Sequence, residues 1–580
     1  MRRLTWVAGS AVLAALTFPA VAGSAVLAAL TFPAVAGADA LVTSGSPVSP
    51  FPQNKQNEPG LAIQPIAPFT LAAGANEEID NALCGTGLEA NCPFTPGVGG
   101  SGVYFSPSSS LSFTQPTDYT GFTARDRTTP QPGHYPGPIG TVPNYFEKGL
   151  VSDGDPGLAF GPAPDSSGDF DYANGTRLYY SNLTSNFATV RTDQTFKGFE
   201  AIAVSHTDDL SGAEASDNSA WSDPAIVTQA RQSSTTFSDK PTVWADNAES
   251  SPFFGRVYDC YTQFKSQQLN GPAPIGVSHS SDGGDHWSRP VTLSASVNNK
   301  NGSGRQGCSV RTDSQGHVYV FWESTKKGKS VQLMDRSDDG GVKWQTPRAI
   351  ATVVDVGETD PVSGDPVFDG VAGARTDSYP SVDIANGAPT GTGATDEIAV
   401  VWSDARNGTN HEQALATFST DRGDHWSTPT NIAAGGDRAD FPAIALSPDG
   451  NNAYLVYDNF TSDFQSDLSD PRPMEGKVRV GTPGGSFTTK FTGPSGDARA
   501  SSANALDGEF IGDYNSIVAT NSFGVAVWND VRDADECPAI DDWRQALVNG
   551  ESPPQPSPAD SCPTAPNFGN TNIYAEKVTP

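Results

Sequence analysis

Three observations predict an all-β chain built from repeated four-stranded units. The first is a motif that occurs three times: Ser280–Trp287 reads SSDGGDHW, Ser337–Trp344 reads SDDGGVKW and Ser419–Trp426 reads STDRGDHW. Each fits S-x-D-x-G-x-x-W, with a proline three residues beyond the tryptophan (Pro290, Pro347, Pro429). The second is composition. With 59 Gly and 46 Pro in 580 residues, and 17% charged, the chain reads as many short strands joined by turns. The third is period: strand, strand, strand, special turn, strand recurs along nearly the whole length. Four-stranded antiparallel blades around an axis leave few exposed edges, so the expected fold is a β-propeller.

The motif has the physics of a tight hairpin. Ser and Asp side chains bond nearby amides, Gly tolerates positive φ, and Trp staples the turn to a core. Ser280, Asp282, Gly284 and Trp287 form the first box. Ser337, Asp339, Gly341 and Trp344 form the second, and Ser419, Asp421, Gly423 and Trp426 the third. Worn copies at Ser106–Phe113 and around Trp221 keep the aromatic residue and the proline but lose the aspartate. That pattern fits packing and not chemistry.

In chain order, Ala40–Ser46 is a lone strand, and seven units follow. They begin at Asn57-Glu58-Pro59, Asp155-Pro156, Lys240-Pro241, Cys308–Thr312, YPSVDIA, FPAIALS and YNSIVAT. Alternating or wholly apolar runs of five to seven residues supply the strands. The last unit lacks a fourth strand and Ala40–Ser46 lacks a unit, so together they close the ring. Seven blades are expected, or six if the first or second unit is an irregular excursion. One domain over residues 41–580 is expected, with loop insertions at about 117–151 and 533–570.

A net charge of −31 excludes nucleic acid and anionic membranes as partners. Arg2 and Arg3, an apolar stretch and Ala-x-Ala sites read as an exported protein's signal over residues 1–40. Within it Gly9–Ala22 is repeated letter for letter as Gly23–Ala36. Cleavage is expected after Ala36 or Ala40, giving a secreted monomer without stable membrane insertion, in reach of the cell surface. Six cysteines in an exported chain predict three disulfides: Cys84 with Cys92, Cys537 with Cys562, and Cys260 with Cys308. No cofactor is required. The acidic loops at Asp208, Asp209, Asp533, Asp535 and Glu536 could hold Ca²⁺, and no histidine spacing points to zinc. Two W-x-D-x-R segments, Trp402–Arg406 and Trp528–Arg532, predict an Asp–Arg pair stacked on Trp.

The three boxes resemble the Asp boxes, or bacterial neuraminidase repeats, of sialidase-like propellers. The resemblance implies a propeller with each box at a blade's periphery, between its third and fourth strands. In propellers, ligands bind at the axis, where chain enters the inner strands. The residues there are Asn57, Glu58, Asp153, Asp155, Asp239, Lys240, Arg305, Arg375, Asp377, Arg438, Asp440, Glu509, Asp513 and Tyr514. Sialidases, as the resemblance implies, hold a substrate carboxylate with three arginines. They attack with a tyrosine assisted by a glutamate, and use an aspartate as acid/base.

Carried over by position, Arg375 and Arg438 resemble the later arginines, with Arg305 as a third. Tyr514 resembles the nucleophile, Glu509 or Glu58 its partner, and Asp155 the acid/base; Asp239 joins the substrate contacts. Arginine suits that task because its planar fork meets carboxylate bidentately. Asn57-Glu58-Pro59 stands where that family has Arg-Ile-Pro, and no arginine occurs between Arg3 and Arg125. The expected function is recognition of glycan or another extracellular polymer at the axial face, with exo-glycosidase activity or non-catalytic binding as the two forms. The enzyme form requires Tyr514, a carboxylate and at least two arginines at one small ligand.

Overall fold

Proline and glycine cut the chain into runs too short for long helices, and each run pairs with its neighbour in sequence. The computed structural model describes residues 39–48, 55–82, 94–124, 137–228, 232–265, 272–294, 306–326 and 328–580. Seven antiparallel sheets form a seven-bladed propeller. Their inner strands are Gln56–Ile63, Gly157–Pro162, Phe237–Ala245, Ser309–Thr312, Ser381–Ile384, Arg438–Leu446 and Ser516–Ala519. Each inner strand packs against the next, and the last returns to the first. Blades are numbered 1 to 7 in that order.

Both termini build blade 7. Ala40–Leu41 pairs with Asn572–Val578, Ala40 opposite Ala575, and so supplies the outer strand that the C-terminal unit lacks. Asp39 reinforces this clasp through Arg532 at 2.7 Å. The strand is shorter than the Ala40–Ser46 run, because a turn begins at Thr43. Blade 1 is also incomplete: among the described residues, two isolated bridges, Phe105 to Thr114 and Gly102 to Thr141, stand beyond Ser101–Ser106 in place of an outer strand. The segment expected as a loop over 117–151 carries a small two-stranded sheet, Tyr119–Gly121 with Gly137–Ile139. The late insertion carries helices Pro538–Val548 and Pro558–Ser561.

The three S-x-D-x-G-x-x-W turns are superposable in their bonding. In the third, the Gly423 amide donates to Ser419 Oγ (2.9 Å), the His425 amide to Asp421 Oδ1 (2.8 Å), and Trp426 Nε1 to the Gly423 carbonyl (3.0 Å). Gly423 sits at φ 76°, which its lack of a Cβ permits. At Trp221 the turn is replaced by a short helix, Leu210–Glu214. Cys260 bonds Cys308, tying blade 3 to blade 4, and Cys537 bonds Cys562. Cys84 and Cys92 lie outside the described residues, as does the expected signal up to residue 38.

The W-x-D-x-R segments are bonded edgewise and not stacked. Trp402 Nε1 donates to Asp404 (3.0 Å), which Arg406 grips with Nε and Nη2 at 2.8 and 2.9 Å. Trp528, Asp530 and Arg532 repeat the arrangement. Both tryptophans are fully buried, so the indole N–H needs an acceptor, and a carboxylate two residues on provides it.

Alternation along the inner strands stacks the channel lining in tiers. The third residue of each unit is small: Gly60, Gly157, Thr242, Ser309, Ser381, Ala443 and Ser516. A Cβ on Gly60 would come within 2.5 Å of the Pro156 carbonyl, so blades 1 and 2 approach there as only glycine allows. Two residues further on stand Ala62, Ala159, Trp244, Arg311, Asp383, Ala445 and Val518. The residues between these tiers, Leu61, Leu158, Val243, Val310, Val382, Ile444 and Ile517, are buried between blades.

Candidate functional site

The axial mouth is built by a repeated local device. In blades 1, 2, 3 and 6 the inner strand is entered through a residue directly before proline: Glu58, Asp155, Lys240 and Phe441. All four have positive φ, at 58°, 51°, 51° and 45°. Proline cannot donate to the ladder, so the pair bulges, and the register shifts between Asn57 and Gly60, Asp239 and Thr242, and Asp440 and Ala443. Positive φ at a non-glycine residue costs about 1–3 kcal/mol. Four such positions around one axis mark a place where geometry is held against backbone preference. Tyr379, before Pro380, and Tyr514 hold the equivalent places in blades 5 and 7.

Asp513 is the hub. Arg375 grips it bidentately, Nε and Nη2 each at 2.7 Å, and Lys240 Nζ reaches it at 2.6 Å. Lys240 and Asp513 are each more than nine-tenths buried, whereas the Arg375 side chain is half exposed. Although burial works the other way, Arg375 and Lys240 hold the Asp513 carboxyl well below the usual range. The cations are also roofed by rings. Lys240 Nζ lies 5.0 Å from the Tyr379 ring and 5.1 Å from the Tyr514 ring, and the Arg375 guanidinium 4.7 Å from Phe510.

Beside the hub lies a carboxyl pair. Burial, then the Glu58 and Asp239 charges, push Asp155 well above the usual range. A neighbouring carboxylate charge disfavours ionisation of Asp155 in so buried a place. Asn76 orients them, donating to Glu58 Oε2 (2.9 Å) and accepting from the Asp155 amide (2.7 Å). Burial, then Asp155, Glu58, Asp513 and Asp239, raise the Tyr514 phenol well above its ordinary value. Behind this layer, burial and then the Asp153 and Asp239 charges push Glu200 well above the usual range, and burial and then Asp377 and Asp355 do the same to Glu323. Carboxyls therefore far outnumber cations at the mouth.

The structure thus brings together Glu58, Asp155, Asp239, Arg375 and Tyr514, and turns other candidates into the scaffold. Arg438 is buried, gripping Glu412 (2.9 Å) and donating to the Ser462 and Phe368 carbonyls. Glu509 is buried on Arg472 at 2.6 Å, both side chains fully shielded, and the charges that reach the Tyr514 phenol are those of Asp155, Glu58, Asp513 and Asp239. Arg305 lies outside the described residues. Asp208 is gripped by Arg177 (2.6 Å) and Asp209 caps the Leu210–Glu214 helix. Asp533 accepts from Asn572 and Tyr574, Asp535 from the Asn567 amide, and Glu536 from Arg499. These carboxylates, the ones suited to Ca²⁺, each already have protein donors. Tyr379, Phe441, Phe510 and Asn76 were not among the expected site residues. The residue-before-proline pattern would have found the first two; Phe510 and Asn76 have no comparable signal.

The fold and mouth together define a propeller with an acidic, aromatic axial site. No protein-family model and no curated sequence matches the chain. Among solved structures it is similar to a Hadza microbial sialidase (12% identity, TM-score 0.36, covering 70% of this chain and 63% of that one). It is similar to a Trypanosoma rangeli sialidase in complex with the inhibitor DANA (10% identity, TM-score 0.36, 71% and 53%). A third is the Aleuria aurantia lectin in complex with Fucα1-6GlcNAc (11% identity, TM-score 0.36, 76% and 98%). The chain spans less than two thirds of the two sialidases' length.

Proposed function

We propose that this is an exported, glycan-recognising propeller whose axial mouth takes a neutral saccharide unit of an extracellular polymer. The observation that supports this reading is the state of the two mouth cations. Among the described residues, Lys240 and Arg375 are both committed to Asp513, and buried carboxyls surround them. A sugar carboxylate would have to draw Arg375 off Asp513 and enter beside Glu58, which lies 3.7 Å from Arg375 Nη2. A neutral sugar meets rings to stack on and carboxyl oxygens to accept its hydroxyls. The test is a glycan array probed with the mature protein. Neutral glycans should bind, and Tyr514→Ala and Arg375→Ala should each weaken that binding at least tenfold. Binding to sialylated glycans alone, or to none, would overturn the reading.

A second reading, hydrolysis, is favoured by the Asp155 and Glu58 charges that, after burial, raise the Tyr514 phenol. A phenol nucleophile replaces the usual carboxylate nucleophile in some glycosidases. The two-arginine requirement is unmet among the described residues, because Arg438 is spent on Glu412. Release of sialic acid from a generic sialoside at any pH from 4 to 8, abolished by Tyr514→Phe, would establish it; no release would dismiss sialidase activity.

A further inference from the structure

Below the mouth the channel does not fill. The Gly60–Ser516 tier is made of glycine, serine, threonine and alanine, and small side chains there leave a cavity of about 520 Å³. That is within the range of small-molecule sites, about 300–1,000 Å³. Its lining runs from Lys240, Tyr379 and Tyr514 at one end to Gln64, Asn247 and Asn521 at the other, where strands leave the axis.

The wall of this cavity is asymmetric. In the tier below, blades 3, 4 and 5 contribute Trp244, Arg311 and Asp383, while blades 1, 2 and 7 contribute Ala62, Ala159 and Val518, and blade 6 its Ile444 and Leu446. The three large residues are locked together. The Arg311 guanidinium lies 4.5 Å from the Trp244 ring and Arg311 Nε donates to Asp383 Oδ1 at 3.3 Å. Arg311 Nη1 is spent on the Val310 carbonyl, Asp383 Oδ2 accepts from the Leu446 amide (2.7 Å), and Trp244 Nε1 donates to Thr312. About a fifth of the Arg311 side chain and a sixth of the Asp383 side chain remain accessible. One wall therefore offers oriented donors and acceptors beside an indole, and the opposite wall is apolar and low.

We propose that this channel is a second binding site, distinct from the mouth, for a single neutral monosaccharide entering from the opposite face of the ring. Neutrality follows from the charges. Arg311 and Asp383 cancel, so the wall has no net charge to offer an ion. At the mouth end, the exits are guarded by Asp377 and Asp513, which disfavour an anion, while Lys240 disfavours a cation. A sugar ring has one apolar face and a polar rim, matching the two walls. In the tier above, Thr242 and Ser309 donate to the Cys308 and Pro380 carbonyls and keep only acceptor capacity, and Ser381 accepts from the Ile444 amide and keeps its proton.

The experiment is titration calorimetry of the mature protein carrying Arg375→Ala, which weakens the mouth and lies outside the channel lining, with D-glucose, D-galactose, D-mannose and L-fucose, repeated with Ser516→Phe or Trp244→Ala added; each of these two is also placed alone on the glycan array. Ser516→Phe fills the middle tier without touching the Arg311–Asp383 pair. At least one sugar should bind saturably with one site per chain. Both variants should weaken it at least tenfold while glycan-array binding at the mouth persists. A thermal melt within a few degrees of the parent establishes that each variant is folded; Ser516→Leu, with a smaller added volume, replaces Ser516→Phe if it is not. Saturable binding that survives both variants, or none by any of the four sugars at 20 times about 1 mM, overturns the proposal. Loss of array binding with the channel titration intact would overturn the mouth reading alone.

Discussion

At the scale of single residues, the protein concentrates buried carboxyls whose protonation opposes or supports the fold. Asp513 is held anionic by Lys240 and Arg375, so it stabilises the fold above about pH 4, the unfolded carboxylate value, and that contribution is lost as pH falls further. Asp513→Asn strips two cations of their anion at once; denaturant unfolding should show a loss of about 3 kcal/mol at pH 7. A loss below about 1 kcal/mol would mean that Glu58 takes over both cations. Asp259 behaves in the opposite sense. It is fully buried, accepts only from Ser181 Oγ (2.6 Å), and burial pushes it up to about 7. The native state then keeps a proton that the unfolded chain releases, so its contribution is full below about pH 4 and fades as pH rises to 7. Asp259→Asn should therefore be nearly neutral at pH 4.5 and stabilising at pH 8, by roughly 2–4 kcal/mol. Melting temperatures at the two pH values check this; a difference that does not grow with pH would sink it.

At the scale of elements, the blade-7 clasp bears on where the proposed signal would be cut. Cleavage after Ala36 leaves Asp39 and Ala40 in place. Cleavage after Ala40 would remove Asp39 from Arg532 (2.7 Å) and take Ala40 away from Ala575. Mass spectrometry of the secreted protein should find a start before Asp39. Deleting residues 39–43 should lower the melting temperature by several degrees, since a blade edge and a buried Arg532 both lose partners. An unchanged melt would show the clasp to be dispensable. The three inner strands of every blade were legible in sequence, because strand alternation is local, but the missing fourth strand of blade 1 was not. The clasp was legible too, from an orphan strand and a unit one strand short. The helices at Leu210–Glu214 and Pro538–Val548 were not, because short helices without a full amphipathic repeat look like loops.

Across the whole molecule, what sequence could and could not say divides by range. The boxes located the blades, and the blades located the axis, so Glu58, Asp155, Arg375 and Tyr514 could be named as axial before any coordinates. Whether an axial arginine faces the mouth or the scaffold depends on a partner far away in sequence. Arg438 turns to Glu412 and Arg375 to Asp513, and nothing in either's local sequence distinguishes them. Glu509 likewise stands in the right unit, yet Arg472 claims it. The channel was invisible for a different reason: a tier of small residues reads as ordinary strand until seven copies are set in a circle.

The pairing of Ala40 with Ala575 also carries a kinetic consequence. Blades 1 to 6 are made of contacts local in sequence and can collapse as the chain emerges. Blade 7 cannot, because its outer strand is made first and its other strands last. The ring must wait, open, until the final residues are released, with the flanks of blades 1 and 6 and the strand edges of blade 7 unpaired. The slowest refolding phase should therefore report closure of blade 7, and deletion of residues 39–43 should change that phase while leaving the earlier ones at their parental rates.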